Sequence, residues 1–332
     1  MSTASALRRW KPDPYILALL GTVVLASLLP ASGRAGVAVG QLTQGVIALL
    51  FFLYGARLSR EAVVAGMTHW RLQLLVFASS FVLFPLLGIG LGWLVRGWLA
   101  PPLVLGLIFL SMLPSTIQSS IAFTSIGRGN VPAAVCSASL SNLLGVVITP
   151  VLVGLVLTAG GRGFSAHAVW DITRQLFLPF VAGQVLRPWL GSWMAGQRRL
   201  LGVVERGSIL LVVYTAFSES VSHGLWHQVG AGSLLALVIL AGLLLAAVLA
   251  ITTWLSRRLG FSREDEVTIV FCGSKKSLAS GLPMANILFA GSSVGLIVLP
   301  LMLFHQIQLM ACAVLAQRYA RREAPEDGQA RA

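Results

Sequence analysis

The chain has 332 residues, of which only 11% are charged and 56% are hydrophobic, and its formal net charge is +13. That composition excludes a soluble globular core and points to an integral membrane protein. In a soluble chain such basicity would suggest nucleic acid, but here the arginines fall between apolar runs, where they read as a topology signal, so no nucleic-acid partner is expected.

Ten apolar runs are predicted, at 15–30, 38–56, 72–95, 102–125, 131–158, 172–192, 207–222, 231–255, 266–290 and 291–317. In the first, the apolar stretch Tyr15–Leu29 follows Arg8, Arg9 and Lys11 and precedes Pro30-Ala31-Ser32-Gly33, which imitates a signal peptide. It is read instead as an uncleaved first helix, because the topology needs it. Prolines at 85, 114, 150, 179, 283 and 300 lie inside or at the ends of runs, which a bundle tolerates where neighbours satisfy the freed carbonyls. With a cytoplasmic amino terminus, eighteen of the 24 basic residues fall on the cytoplasmic side and four opposite, Lys275 and Lys276 being the remaining two. The expectation is a multi-pass inner (plasma) membrane protein with both termini cytoplasmic. Cys136, Cys272 and Cys312 lie in apolar runs without ligand spacing and read as small buried hydrophobes; no metal site is expected.

The stretch Phe271-Cys272-Gly273-Ser274-Lys275-Lys276-Ser277-Leu278-Ala279-Ser280-Gly281-Leu282-Pro283-Met284 sets two adjacent lysines deep in the ninth run. A charge at bilayer depth costs at least about 2.5–3.5 kcal/mol, so these side chains face protein or water, unless they snorkel from a helix end. Gly273, Gly281 and Pro283 weaken the helix around them, and broken membrane helices surround sites or cavities. The fourth run carries a second polar break, Pro114-Ser115-Thr116-Ile117-Gln118-Ser119-Ser120. Laid on the first, it pairs Gln118 with Lys275, Ser119 with Lys276 and Ser120 with Ser277. Interrupted segments at matching places in two halves point to a transporter's binding site. The expected fold is therefore all-α, with ten transmembrane helices in two inverted five-helix repeats, 1–158 and 159–317, followed by a cytoplasmic tail, 318–332.

Other polar residues have two readings each. Glu219 in the seventh run is either a counter-charge for a lysine or a helix end among headgroups. His223 and His227 have metal-compatible spacing, although Gly224 between them favours a solvated turn. His305 and Gln308 in the tenth run read as interhelical hydrogen bonders. Asn142 in the fifth run is a ligand or a packing contact. Glu264-Asp265-Glu266 reads as a solvated helix cap.

Residues Phe271 to Leu278, with Gly281-Leu282-Pro283-Met284, Leu113-Pro114-Ser115-Thr116 and Arg128-Gly129-Asn130-Val131, resemble the SBF-like branch of the bile acid:sodium symporter family. The resemblance implies a core domain from 72–158 and 231–317 and a panel domain from 15–71 and 172–222. Crossed, discontinuous helices 4 and 9 would lie in the core, with substrate between core and panel. It also matches Ser119, Ser120 and Ser80 to sodium ligands of the family. The family's helix-9 carboxylate falls on Phe271, however, and its amide neighbours on Lys275 and Lys276. A hard cation wants oxygen ligands and negative charge, so two ammonium groups make sodium coupling doubtful. The expectation is a non-enzymatic secondary carrier of a small organic anion by alternating access, coupled to Na+ or H+ or to no ion. A regulatory membrane protein with little intrinsic transport is the alternative. The candidate site is Lys275, Lys276, Ser274, Ser277, Gln118, Ser119, Ser120, Thr116, Asn142, Ser80, Glu219 and His305. Substrate identity and oligomeric state are not legible.

Overall fold

The computed structural model describes residues 14–57, 69–159, 166–222, 229–290 and 293–321. The His223–His227 pair, the tail after Arg321, and Arg8, Arg9, Lys11, Arg60, Arg162, Arg322 and Arg331 lie outside the described residues. The chain forms α1 (Pro14–Leu28), α2 (Gly33–Arg57) and α3 (Trp70–Ala78), then a π-helical turn (Ser79–Leu83) leading into α4 (Phe84–Leu94). There follow α5 (Pro101–Ser111), α6 (Gln118–Ile126), α7 (Val131–Ala159), α8 (Ala166–Gly196) and α9 (Arg198–Ser222). The last four are α10 (Ala231–Arg258), α11 (Arg263–Gly273), α12 (Leu278–Leu288) and α13 (Val294–Arg321).

The expectation of ten transmembrane helices in two inverted five-helix repeats is overturned. Among the described residues six helices are long and apolar enough to cross a membrane: Gly33–Ala56, Trp70–Leu94, Val131–Val156, Arg199–Ser222, Ala231–Arg258 and Val294–Arg321. The apolar runs overcount for definite reasons. The fourth run breaks into α5 and α6, of 11 and 9 residues, and the ninth into α11 and α12, of 11 each. No half approaches the roughly 20 residues a crossing needs. The first run yields only the 15 residues of α1. The sixth lies within α8, a 31-residue helix that contains Asp171, Arg174, Arg187 and two prolines and is not among the six.

Helices α2 and α8 pack at backbone distance. A Cβ on Gly55 would run into the Phe180 carbonyl, and one on Gly183 into that of Phe52. Small residues that let backbones meet are how membrane helices associate when lipid is as apolar as leucine. A single apolar cluster runs from Leu19 of α1 through Phe51, Phe84, Leu107, Phe180, Val213 and Leu244 to Phe304 of α13. Outside it, Leu28, Trp93, Trp98 and Leu155 are among many large apolar side chains left exposed, as a hydrocarbon-facing surface requires.

One end of the bundle gathers arginine and is closed by hydrogen bonds. Arg257 makes a two-pronged ion pair with Glu266, 2.9 Å at each contact, and the Tyr319 hydroxyl donates to the same carboxylate at 2.8 Å. Glu266 is thus buried and paired rather than a solvated cap. Arg263 donates to the Tyr319 carbonyl and Arg71 to that of Leu259. Asn130 caps α7 through the Ala133 amide and donates to Asp265 at 3.0 Å. Two residues before it, Arg128 takes φ 58° in the turn from α6 into α7.

Candidate functional site

Two interruptions lie side by side: 112–117 between α5 and α6, and 274–277 between α11 and α12. A broken helix frees carbonyls that lipid cannot satisfy, so each needs a donor from protein. In the first break four successive carbonyls find one. The Met112 carbonyl accepts from Thr149 at 2.8 Å, Leu113 from the Lys276 ammonium at 2.7 Å, Pro114 from the Ser277 amide at 2.9 Å, and Ser115 from Asn142 at 2.6 Å. In return Ser115 Oγ donates to the Cys272 carbonyl at 2.7 Å and Ser120 Oγ to that of Phe271 at 3.3 Å. Gln308 of α13 clamps Lys276 by its backbone, accepting from N–H and donating to C=O, both at 2.9 Å.

The two lysines are treated differently. Both are fully buried. Lys276 Nζ donates to Leu113 and, at 2.8 Å, to the Ser80 carbonyl, and stands 4.2 Å from the centre of the Phe84 ring. The π-turn explains why Ser80 is open. The Phe84 amide donates to Ser79, one residue further back than an α-helix would place it, which leaves the Ser80 carbonyl for the ammonium. Lys275 Nζ has no hydrogen-bond partner among the described residues. It sits 3.7 Å from the Phe123 ring centre and 5.4 Å from that of Phe271. Phe271 itself packs edge-on against Tyr319.

In front of the breaks lie two cavities of about 200 and 320 Å³, which share Tyr54, Ile117, Gln118, Asn142, Glu205 and Ser280 in their linings. The first extends toward Phe51, Val146, Phe180 and Met284; the second toward Tyr15, Arg206, Ser277 and His305. The first turns of α6 and α12 both open here, through Gln118 and Ser119 on one and Leu278 and Ala279 on the other. First-turn amides lack intrahelical acceptors and carry partial positive charge.

Of the sequence-derived candidates, Thr116, Gln118, Ser119, Asn142, Ser277 and His305 line this space. Lys275, Lys276, Ser274, Ser120, Ser80 and Glu219 do not. Ser120 ties the two breaks together, and Ser80 contributes its carbonyl while its hydroxyl has no partner among the described residues. The Ser274 hydroxyl is likewise buried without a partner among the described residues. Asn142 bridges, donating to Ser115 while accepting from Ser280 at 2.7 Å. His305 reaches Gln308 at 2.9 Å. Glu219 is half-buried on α9 beside Ser218 and Ser220, and Lys276 turns to carbonyls instead of pairing with it.

Sequence reasoning missed Tyr15, Tyr54, Glu205 and Arg206 as cavity residues. Arg206 falls just before the seventh run at 207–222, but α9 starts at Arg198, two turns earlier. The apolar Leu200-Leu201 and Val203-Val204 pairs could have signalled that extension.

A family profile for the SBF-like CPA transporter family matches residues 13–321. The chain belongs to this family. A Pseudomonas aeruginosa protein, "Uncharacterized protein PA2026", is 61% identical over 95% of both chains. "Putative symporter YfeH" of Escherichia coli is 55% identical over 93% of both. "Sodium/bile acid cotransporter 7" of Rattus norvegicus is 29% identical over 93% of both, and it is only through relatives this distant that the SBF-like chain connects to sodium/bile acid cotransporters. As a member of the SBF-like family the protein is a multi-pass membrane carrier and not an enzyme.

Proposed function

We propose that the protein is a secondary carrier of small organic anions that works by alternating access, with Lys276 standing where a coupling sodium ion would otherwise be held. The observation that carries this reading is a sorting of helix ends. The Leu113 carbonyl, just past the C-terminal end of α5, and the Ser80 carbonyl, freed inside the π-turn, converge on the Lys276 ammonium, while the first turns of α6 and α12 line the cavity beside Arg206. A C-terminal helix end favours a cation and an N-terminal end favours an anion, each worth about 0.3–1 kcal/mol or more when partly buried. The lysines do not line the cavity, so attraction for an anion is drawn from these amides and from Arg206, which shares the cavity wall with Glu205.

The carbonyls around Lys276 are hard oxygen donors of the kind sodium takes. A resident ammonium occupies them, which argues for transport without sodium, coupled to a proton or to no ion. Motion would separate α1, α2, α8 and α9 from the helices that bear the breaks, since the cavities lie between these groups. The arginine-rich end would face the cytoplasm, with both termini there.

Purified protein in liposomes tests the reading. Organic anions should enter saturably and in counterflow with sodium absent and choline in its place. Uptake that requires sodium would defeat the substitution, and failure of any anion to show counterflow would favour a regulatory role over transport.

A further inference from the structure

Between α10 and α13, at the arginine-rich end, lies a groove lined by Leu249, Ala250, Thr253, Trp254, Arg257, Arg258 and Leu315. On α10 these form two rows at four-residue steps, Leu249-Thr253-Arg257 and Ala250-Trp254-Arg258. Each row passes from apolar to guanidinium over about 12 Å. Around it Leu243, Met310 and Val314 are more than half exposed, so the groove is continuous with surface that only hydrocarbon covers. Trp254 is 63% exposed one turn before Arg258, and indoles beside basic helix ends are typical of the headgroup region. Arg257 commits Nε and one terminal nitrogen to Glu266, yet its side chain stays 56% exposed. Arg258 has no hydrogen bond or ion pair among the described residues.

We propose that this groove holds an anionic phospholipid. Its phosphate sits at Arg258 and the open edge of Arg257, its glycerol region beside Trp254, and one acyl chain along Leu249, Ala250 and Leu315. Charge selects the headgroup: the pair of arginines is only half neutralised by Glu266, and basic pockets between membrane helices recognise acidic headgroups. The apolar floor selects a lipid over free phosphate, since phosphate alone would leave it uncovered. The site is separate from the transport cavity, and its readout is binding.

The test uses the full chain in phosphatidylcholine nanodiscs, to which brominated phosphatidylglycerol or brominated phosphatidylcholine is added. The Trp254 share of quenching is taken as the difference between wild type and Trp254→Phe. Phosphatidylglycerol should quench Trp254 at lower lipid fraction than phosphatidylcholine. Arg258→Gln, an exposed position that folding does not need, should weaken that preference about fivefold, the worth of one basic residue at an acidic headgroup. Inorganic phosphate should neither compete with the lipid nor stabilise the protein. Equal quenching by the two lipids, an unchanged preference in Arg258→Gln, or competition by inorganic phosphate would each overturn the proposal.

Discussion

Replacing Lys276 with methionine removes one ammonium and leaves two buried carbonyls, Ser80 and Leu113, without their donor. Hydrogen bonds from a charged group contribute about 1.5–3 kcal/mol each, and an orphaned buried acceptor costs about 1–3 kcal/mol. The contact with Phe84 adds up to about 2 kcal/mol when desolvated. Against this, the variant no longer has to bury a charge, a relief of several kcal/mol. The orphaned carbonyls decide the balance, because methionine offers them nothing, and we expect a net loss of about 2–4 kcal/mol. At about 2–4 °C per kcal/mol for a large domain, purified protein should melt roughly 5–15 °C lower by intrinsic fluorescence. Lys276→Ala extends the test by emptying an oxygen-lined space. Sodium at tenfold excess over its dissociation constant should then restore about 1.4 kcal/mol to the variant and nothing to wild type. A Lys276→Met protein that melts at the wild-type temperature would refute the reasoning, and a Lys276→Ala protein indifferent to sodium would remove the equivalence of ammonium and ion.

The neighbouring lysine should behave in the opposite way. Lys275→Met forfeits ring contacts but orphans no acceptor, so thermal unfolding should be unchanged or raised by about 1–4 kcal/mol; a drop as large as that of Lys276→Met would show that Lys275 has a hidden partner. Gly183→Leu places side-chain atoms on the Phe52 carbonyl, and folded yield should fall sharply, by more than about 3 kcal/mol of stability, while Gly90→Leu, in open space, should not. Arg206→Gln should raise the anion KM about tenfold at unchanged melting temperature, because Arg206 is exposed at the cavity, makes no hydrogen bond or ion pair among the described residues, and stacks over the Tyr15 ring at 5.4 Å. Unaltered KM would place the substrate elsewhere.

The apolar runs and the paired polar breaks were legible because hydropathy and isolated charge need no tertiary information. The number of crossing helices was not. A break of a few residues such as 112–117, itself half apolar, disappears inside a hydropathy window, so two short helices read as one long one. Ser80 was found for its side chain, yet it acts through its carbonyl, and a π-turn leaves little mark in sequence. The destination of each lysine was equally hidden. Adjacent residues leaving a helix break can point to different walls, and here one meets carbonyls and the other aromatic faces. Arg206 escaped because its importance comes from the helix facing it across the cavity rather than from its own neighbours.

The ammonium between Ser80 and Leu113 is covalently attached to the machine that holds it. On the proposed reading, a tethered charge ends each cycle where it began, so a sodium gradient does no net work through it. Such a carrier would not wait to be loaded from a salt reservoir, and the drive for its cycle would come with the cargo, with a proton or with something exchanged for it.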